Sequence, residues 1–486
     1  MLFNSYEFIF VFLPITFFVY FYLNSKRLIE ASRVFLVLLS LFFYSWWNIA
    51  YLPIILVSML FNYVVGVSLS KDKEHTKVSK KMLLTFGVIA NVALLGYFKY
   101  ADFLIENINV MTNGHIPLLH LALPLAISFF TFQQIAYLVD SYRGETKEYD
   151  FLNYANFVAF FPQLIAGPIV HHAEMMPQFA KTRNKVKNYK NIAMGLFIFS
   201  IGLFKKVVIA DTFAVWATAG FDTATTLNLF EAWATSLSYT FQLYFDFSGY
   251  TDMAIGAALL FNIKLPINFN SPYKATSIQD FWRRWHITLS RFLRDYVYIP
   301  LGGNRKGNFR IYSNLMATFI IAGIWHGAGW TFVFWGFLHG IALVIQRAWN
   351  QLGFKLWTWL AWLITFNFIN IAWVFFRAKE WEDAIKVLNA MFSLNITLPS
   401  FLSAKLAFLN QYSVKFGGAW LSEVDGTIVT VVWLLIGFIL ILTFKNSNQR
   451  LESFKLDYKM AFFAGILFAS AILSLNKVSE FLYFNF

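Results

Sequence analysis

The sequence predicts an all-α, polytopic integral membrane protein, and three observations lead to this fold class. Hydrophobic residues make up 58% of the 486 residues and charged residues only 13%, whereas soluble proteins contain roughly 45–50% and about 25%. Apolar stretches near the length that spans a bilayer, about 20 residues, cover most of the chain. The basic residues are concentrated in short segments between those stretches. Because so few charges cannot cover soluble cores with this much apolar surface, a set of soluble domains is excluded.

In chain order, the apolar stretches define roughly eleven to thirteen predicted membrane helices. The first lies within Met1–Leu23, which lacks a basic leader and a small-residue cleavage site, so we expect a retained helix rather than a signal peptide. No linker and no repeat of fixed period divides the chain, which predicts a single membrane-embedded domain over residues 1–486. The clearest stretches are Phe8–Leu23, Val34–Ala50, Leu52–Leu69, Met82–Phe98, Leu118–Leu138, Ile192–Phe204 with its continuation to Phe221, Leu237–Leu260, Ile311–Trp325, Trp330–Ile345, Leu356–Phe376, Ile428–Phe444 and Ala461–Leu475.

The basic segments predict the orientation of these helices. Lys26, Arg27 and Arg33 follow the first helix, and five lysines in Lys71–Lys81 follow the next two, so both loops are expected in the cytoplasm and the amino terminus outside. The net charge of +13 therefore indicates orientation rather than nucleic-acid binding. The sequence contains no cysteine, which excludes disulfides, thiolate metal sites and cysteine nucleophiles.

One apolar stretch, Phe151–Val170, does not fit the alternation of the basic loops. Two cytoplasmic loops, at Arg143 and at Lys181–Lys190, flank this single stretch. It contains Pro162 and, further on, a Gly-Pro pair, which interrupt the hydrogen bonds of a helix. Broken backbone at membrane depth requires protein or a wet cavity around it. We therefore predict a re-entrant segment that enters and leaves from the cytoplasm; the alternative is a kinked span.

A second unusual segment is Ser277–Tyr298, which the sequence predicts to be an amphipathic helix. Its aromatic and apolar side chains recur at three- and four-residue spacing, and its arginines lie off that stripe. Such a helix lies on a membrane surface or lines the floor of a cavity, here on the cytoplasmic side. The stripe contains Trp282, Trp285, His286, Leu289, Phe292, Leu293 and Tyr296, and the arginines are Arg283, Arg284, Arg291 and Arg294.

His326 is the first candidate for chemistry, because ionisable residues inside membrane segments are costly and are functional candidates. It stands in AGIWHGAGW, where Gly323, Gly327 and Gly329 permit close approach by another backbone or a ligand. Burial favours the neutral imidazole, which can accept a proton from a hydroxyl. The alternative is a histidine that packs between helices and bonds to a carbonyl group.

The other histidines are weighed in the same way. His286 lies on the apolar stripe of the amphipathic helix, where it orients a substrate, acts as a second base or is simply an interfacial residue. His339 follows His326 by thirteen residues, which places it on a different face of a continuous helix, so a structural role is predicted. His120, His171 and His172 are expected to be interfacial polar residues.

Two acids, Asp246 and Asp252, lie in the apolar segment LYFDFSGYTDMAIG together with Tyr250. Carboxylates at this depth need partners, and we expect the arginines of the amphipathic helix to supply them. A structural acid–arginine pair, a catalytic role and an ion pathway all remain open, and the last of these supports an ion-coupled transporter as an alternative function. Phosphate-loop, G-x-S-x-G and H-E-x-x-H motifs are absent from the sequence, so any nucleophile belongs to a substrate or partner.

Five motifs in this order closely resemble the bacterial membrane-bound O-acyltransferase (MBOAT) family, in its alginate O-acetylation branch. They are FPQLIAGPIV, YFDFSGYTDMAIG, LPINFNSPY, FWRRWHITLSRFLRDYVYIPLGGNRKG and GIWHGAGWTFVFWGFLHG. The resemblance extends from Met1 to about Arg377, with the core motifs in residues 150–345 and more variable helices in residues 380–486. It implies membrane helices around a central funnel, in a multi-pass protein of the bacterial inner membrane.

The resemblance also implies an activity and roles for particular residues. The implied enzyme is an acetyltransferase that moves an acetyl group from a cytoplasmic thioester, acetyl-coenzyme A, across the membrane for O-acetylation of an alginate-like exported or cell-wall polysaccharide. His326 matches the family's general base and His286 its second polar position. The predicted funnel-lining or orienting residues are Asp246, Tyr250, Asp252, Trp325, Trp285 and Asn268.

The donor and the partners are implied in the same way. Arg305 and Lys306 are candidates for the donor's phosphates, although cytoplasmic orientation alone also explains them. No permanently bound cofactor and no metal is expected. The expected partners are the acyl donor, the lipid bilayer, a periplasmic acetyltransferase and a polysaccharide acceptor. Within the family, the alternative is D-alanyl transfer from a carrier protein to teichoic acid, and the sequence leaves the acceptor open.

Overall fold

The computed structural model describes residues 1–71, 79–146, 150–165, 167–305, 307–412, 414–417, 420–475 and 482, and its regular secondary structure there is almost wholly helical. The short strands β1 (Thr397–Pro399) and β2 (Lys415–Gly417) pair in parallel. The α-helices are α1 (Leu13–Ser25), α2 (Ile29–Ser45), α3 (Tyr51–Ser70), α4 (Lys80–Leu95), α5 (Ala101–Thr112), α6 (Ile127–Arg143), α7 (Phe151–Ala159), α8 (Phe161–Leu164), α9 (His172–Ala180), α10 (Tyr189–Phe204), α11 (Asp211–Thr218), α12 (Leu229–Leu260), α13 (Ile278–Trp282), α14 (Ile287–Leu293), α15 (Gly307–His326), α16 (Trp330–Gln351), α17 (Thr358–Arg377), α18 (Trp381–Met391), α19 (Ile428–Thr443), α20 (Ser447–Glu452) and α21 (Tyr458–Leu473).

Six helical stretches in the described chain are long and apolar enough to cross a membrane, which confirms the all-α membrane fold class. Shorter apolar helices, α19 and α21, add to them. Turns of π-helix join neighbouring α-helices, so that α4 and α5 form one continuous stretch and α10 and α11 another. The six stretches are Glu7–Ser25, Tyr51–Ser70, Lys80–Thr112, Tyr189–Thr223, Trp330–Gln351 and Thr358–Arg377.

The apolar stretch Leu118–Leu138 is not one helix, contrary to the prediction. Residues 114–124 have no helical structure, and α6 begins only at Ile127. Pro117, directly before the stretch, and Pro124, within its first part, cannot donate the backbone hydrogen bonds of a helix interior. His120 has a left-handed φ of 46°, and its backbone N–H donates to Asp102.

The chain forms two compact units. The first contains Met1–Leu203, Tyr250–Ile267 and Leu451–Asn476, and the second contains Phe204–Gly249, Asn268–Arg450 and the C-terminal residues from Lys477. The organisation as a single domain remains a prediction.

In the first unit, the proline-containing segment is broken where the sequence predicts a break. Helix α7 ends at Ala159 and α8 has only four residues. At about 1.5 Å per residue, neither helix approaches the ~30 Å of a hydrocarbon core. Phe160 and Phe161 are fully buried at the break, and Phe161 N–H donates to the Ser40 hydroxyl 3.1 Å away. Protein therefore surrounds the interrupted backbone and satisfies part of it.

The two ends of this broken segment lie close together. Nδ1 of His172, which follows the segment, lies 3.1 Å from the Asp140 carboxylate in the last turns of α6. The other ring nitrogen of His172 lies 3.4 Å from the carbonyl oxygen of Glu145, which precedes the segment. A chain that leaves and returns to the same place has the geometry of a re-entrant segment. The prediction that this end faces the cytoplasm is not tested.

An ion pair between Arg33 and Asp150 holds the start of the broken segment against α2. The guanidinium donates to both oxygens of Asp150 at 2.7 and 2.8 Å, and Asp150 also caps α7 by accepting from Asn153 N–H. Partial burial opposes ionisation of Asp150, but the hydrogen bonds from Arg33 and from the backbone of α7, together with the charge of Arg33, outweigh it and lower the pKa of this carboxyl. The carboxylate therefore remains charged at neutral pH and keeps the pair intact.

In the second unit, α15 and α16 pack with their backbones in close contact. A side chain added at Gly323 would collide with the carbonyl oxygen of Phe332, and one added at Gly336 with that of Phe319. The small residues around His326 thus allow a neighbouring helix to approach, one of the two uses that the sequence left open. This contact brings the end of α15, with His326, next to Trp335 of α16.

Candidate active site

The predicted amphipathic helix Ser277–Tyr298 is divided in two. Helix α13 ends at Trp282 and α14 begins at Ile287, with a turn between them. His286 ends this turn in the left-handed conformation, with φ 43° and ψ 53°. The segment LPINFNSPY supplies hydrogen-bond partners for backbone groups that the division leaves without a partner inside a helix. Ile287 N–H donates to the carbonyl of Asn268, and Asn270 N–H donates to the carbonyl of Arg284. The prediction of one continuous helix is therefore wrong. The apolar stripe of the segment is buried in protein.

His286 is fully buried, and its hydrogen bonds define its tautomer. Its Nδ1 lies 3.1 Å from Oδ1 of Asn268. The same Oδ1 accepts from the backbone N–H of Thr288 at 3.2 Å and from the Thr288 hydroxyl at 2.9 Å. Because a backbone N–H only donates, the atom it meets must be the amide oxygen, and Nδ1 must carry the proton in its own hydrogen bond. The lone pair of neutral His286 is consequently on Nε2.

His326 lies close to His286 with one indole ring in contact with both. The Trp325 ring is centred 6.3 Å from the His286 ring and 4.8 Å from the His326 ring. His326 is the last residue of α15, is 4% exposed, and also contacts Trp335 and Phe376, each with ring centroids 5.1 Å apart. The structure therefore brings together the two histidines and Trp325, as the proposed site requires.

Trp285 and Asn268 belong to the same cluster. The Trp285 ring stacks on Phe281 at 5.7 Å and is buried. The ring of Phe247 approaches that of His286 edge-on at 4.9 Å and also contacts Trp285. Asn268 is fully buried and holds His286 as described. These aromatic walls exclude water from the histidines, and a dry environment strengthens every polar interaction formed there.

His339 extends this cluster on the other side of His326. Its Nδ1 accepts a 3.2 Å hydrogen bond from the indole N–H of Trp282, so the proton of the neutral ring is on Nε2. Its ring lies 4.7 Å from that of Trp335, which contacts His326. This arrangement agrees with the predicted structural role of His339, in which it supports the residues around His326.

Asp246 has a partner other than the one predicted. Its carboxylate lies 2.7 Å from Lys206 Nζ, and the same amine lies 2.9 Å from Asp211. All three side chains are at least nine-tenths buried, and Asp246 also accepts from the backbone N–H of Leu482. The expectation of an arginine from the amphipathic helix is wrong for Asp246. The sequence signal for Lys206 was present, because Lys205 and Lys206 interrupt an otherwise apolar stretch.

Three of the predicted site residues have surroundings of their own, and a fourth is not described by the structure. Tyr250 and Asp252 are buried in the first unit, where the Tyr250 hydroxyl donates to Asn4 at 2.7 Å. Arg305 is exposed on the loop before α15, and Lys306 lies outside the described residues. The roles predicted for these four residues stay predictions.

The cluster offers two imidazoles in a buried aromatic setting, and the described chain contains no group of three or more histidine and acidic residues arranged to hold a metal ion. The lone pair of an imidazole can remove a proton from a hydroxyl group that enters the cluster. A hydroxyl activated in this way attacks an electrophilic carbonyl. The arrangement therefore suits acyl transfer to oxygen, in which the nucleophile comes from a substrate.

Comparison with known proteins agrees with this chemistry. A family model described as MBOAT, membrane-bound O-acyltransferase family, matches residues 8–379. The chain belongs to the membrane-bound O-acyltransferase family. This MBOAT protein is therefore a multi-pass membrane enzyme that transfers acyl groups to oxygen, and the family membership predicted from its motifs is confirmed.

Relatives of this MBOAT enzyme carry names from three branches of the family. The chain is 51% identical over 520 residues to a peptidoglycan O-acetyltransferase of Helicobacter pylori, covering 100% of this chain and 98% of the relative. It is 41% identical over 399 residues to a probable alginate O-acetylase of Pseudomonas aeruginosa, covering 81% and 75%. It is 29% identical over 274 residues to a teichoic acid D-alanyltransferase of Bacillus subtilis, covering 53% and 69%.

Proposed function

We propose that this enzyme transfers an acetyl group from a cytoplasmic thioester, acetyl-coenzyme A, for O-acetylation of a cell-wall glycan outside the bacterial inner membrane. The observation that carries the proposal is the pair of buried imidazoles that both contact Trp325. A general base next to a second polar ring is what an acceptor hydroxyl requires in order to attack a thioester.

The proposed step uses the histidines as follows. His326 takes the proton of the acceptor hydroxyl while that oxygen attacks the thioester carbonyl. The carbon–sulfur bond breaks, the thiolate leaves and takes a proton, and the acetyl group is joined to the acceptor oxygen as an ester. Nε2 of His286, whose tautomer Asn268 defines, orients the acceptor or the carbonyl. Trp325 and Trp285 exclude water, which would otherwise hydrolyse the thioester.

Peptidoglycan is the proposed destination of the acetyl group. The relative named for peptidoglycan matches the whole chain at 51% identity, whereas the relative named for alginate matches 81% of it at 41%. The alginate-like acceptor suggested by the motifs is therefore the second choice within the same activity. As in the sequence-based expectation, an extracytoplasmic acetyltransferase is the proposed partner that passes the acetyl group to the polymer.

The test is a comparison of acetyl esters on cell-wall glycans in cells with and without the gene. We expect O-acetylated muropeptides to disappear on deletion and to return with the wild-type gene, but not with His326→Ala. Alginate-like esters that respond while muropeptides stay unchanged would reassign the acceptor. D-alanine esters that respond would support the family alternative, D-alanyl transfer, and ion-coupled flux independent of His326 would support the transporter.

A further inference from the structure

A cavity of about 1090 Å³ lies in the second unit between the beginning of α17 and the end of α19. Helix α17 has 20 residues. At about 1.5 Å per residue this length equals the ~30 Å of a hydrocarbon core, so Thr358, its first residue, lies at a membrane boundary. Helix α19 ends beside it at Thr443. The cavity, called the α17–α19 cleft below, therefore opens where the hydrocarbon meets the lipid headgroups.

Three tryptophans form the wall of the cleft on the side of α17. Trp357 and Trp359 are 72% and 60% exposed, and their stacked rings are centred 6.1 Å apart. The indole N–H of Trp362 donates to the carbonyl oxygen of Tyr273 at 2.9 Å, which holds the third ring in place. Tryptophan rings at the level of the headgroups are typical of membrane proteins. Because protein leaves the first two rings largely uncovered, lipid covers them.

The deep end of the cleft is closed by aromatic contacts between the two helices. The ring of Trp362 stacks on that of Phe366 at 5.5 Å, and Phe366 contacts Phe438 of α19 at 5.4 Å. By the rise per residue, this contact lies about 8–12 Å from the helix ends. Leu442 lines the cleft above it on the side of α19. The helices therefore leave an apolar space that the upper part of an acyl chain can enter.

Lysines surround the outer end of the cleft. Lys274 lines it and donates one of its three N–H groups to the carbonyl oxygen of Phe444 at 3.2 Å. Lys355 and Lys445 are exposed at the beginning of α17 and just after α19. The lining residues in the described chain include no acid. Lysines beside a membrane-spanning helix attract anionic headgroups, and basic residues at this end favour the cytoplasmic leaflet.

We propose that the α17–α19 cleft binds one anionic phospholipid of the cytoplasmic leaflet. Its phosphate lies at Lys274, and an acyl chain lies between the helices against Trp362 and Leu442. A free phosphate ion shares the chemistry of the headgroup, but only a lipid also matches the apolar wall below the lysine. A zwitterionic headgroup carries a cation that the lysines repel, so the cleft selects a lipid with a net negative charge.

The test measures binding of phosphatidylglycerol to the full-length protein in detergent micelles by native mass spectrometry. We expect one tightly retained molecule, distinct from weakly held ones. Lys274→Gln should weaken its retention about fivefold, the usual effect of one lysine near a membrane surface. The double variant Trp357→Ala/Trp359→Ala should weaken it at least about fivefold, because the rings that cover the lipid are lost.

Lys81→Gln and Trp46→Ala are matched controls from the first unit. Lys81 is exposed at the start of α4, and Trp46 is 51% exposed. Each change should alter retention less than twofold. Lys274→Arg keeps the charge and should restore binding, which separates the loss of a contact with lipid from misfolding around Phe444. The two exposed tryptophans provide a second check, because their replacement should leave the unfolding temperature without added lipid unchanged.

Thermal unfolding provides an independent measurement of the same site. A ligand that binds only the folded protein raises the unfolding temperature. Phosphatidylglycerol should therefore raise it more in the wild type than in Lys274→Gln, and phosphatidylcholine should raise it less than phosphatidylglycerol in the wild type. An equal rise with both lipids would contradict a site that selects negative charge.

Four results of the binding experiment would overturn the proposal. Equal retention of phosphatidylcholine and phosphatidylglycerol would indicate non-specific boundary lipid. Competition by inorganic phosphate or glycerol 3-phosphate at the concentration of the lipid would indicate a site for a soluble anion. Dimers that dissociate in Trp357→Ala/Trp359→Ala would show that a second copy of the chain covers the tryptophans. Unchanged retention in both cleft variants would show that the lipid binds elsewhere.

Discussion

His172 in the first unit and His286 in the second are both buried, but their rings have partners of opposite character. Nδ1 of His172 lies 3.1 Å from the carboxylate of Asp140, with both side chains less than 5% exposed. Nδ1 of His286 lies at the same distance from the uncharged amide oxygen of Asn268. A carboxylate favours the imidazolium ion, whereas an amide oxygen orients the ring without favouring its charge.

This difference separates structural polar groups from groups available for chemistry. At Asp140–His172 an imidazole meets a carboxylate, and at Lys206–Asp246 an amine meets a carboxylate; both pairs hold helices or loops in place. At His286 the amide leaves an uncharged ring with its lone pair on Nε2, close to Trp325 and His326. Burial therefore does not distinguish His172 from His286, whereas the charge of the group that each ring meets does.

The largest expected effect is on catalysis, at His326 in the histidine cluster. His326→Gln, which keeps a polar side chain, should lower acetyl transfer about 10²–10⁴-fold because the general base is lost. The measurement is transfer from radiolabelled acetyl-coenzyme A by purified enzyme in proteoliposomes. The thermal unfolding temperature should stay close to that of the wild type, and near-normal transfer would remove His326 from its proposed role.

The second largest effect is on stability, at the ion pairs of Lys206 with Asp211 and Asp246. Lys206→Met leaves Asp211 and Asp246 without their cation and should lower the free energy of unfolding by about 3–5 kcal/mol. The double variant Lys206→Met/Asp246→Asn should regain part of the loss, because one of the unpaired charges is removed. Unfolding in detergent micelles measures both. Wild-type stability in the single variant would show that the pair does not support the fold.

The third effect is on the pH dependence of activity. Replacing Asn268 changes the group next to Nδ1 of His286 from an amide to a carboxylate, as at His172. Asn268→Asp places a carboxylate at Nδ1 and favours the imidazolium, so activity should be lost at a higher pH on the acid side than in the wild type. Asn268→Ala removes the hydrogen bond, worth about 1 kcal/mol, and should lower activity about fivefold without changing the pH at which activity is lost. The pH dependence of transfer measures both variants. If Asn268→Asp lost activity at the same acid pH as the wild type, protonation of His286 would not control activity.

The smallest effect concerns His172. His172→Gln removes one partner of Asp140, which also lies 3.8 Å from the Arg143 guanidinium, and should destabilise the protein by about 1–3 kcal/mol. Transfer per folded molecule should not change, because His172 follows the broken segment and is not part of the histidine cluster. The comparison requires unfolding and transfer assays on the same preparation. A fall in transfer at unchanged stability would contradict the division between the two kinds of histidine.

Much of the fold could be predicted from the sequence because hydropathy is a local property. The apolar stretches at Leu52–Leu69 and Leu356–Phe376 correspond to α3 and α17. Proline and glycine also act locally, so the break after Phe151 was predictable. The division at His286 was not, because three- and four-residue spacing continues through it. The break depends on Asn268 and Asn270, which are distant in the sequence and bond to its exposed backbone.

The sequence by itself determined the membrane class, the family and the two candidate histidines, since composition and motifs are carried by consecutive residues. Only the tertiary structure decided which polar groups meet. It paired Asp246 with Lys206 instead of an arginine, and it defined the tautomer of His286 through Asn268. The physical reason is that a buried polar group needs a partner within about 3 Å, and residues far apart in the chain come that close only when helices pack.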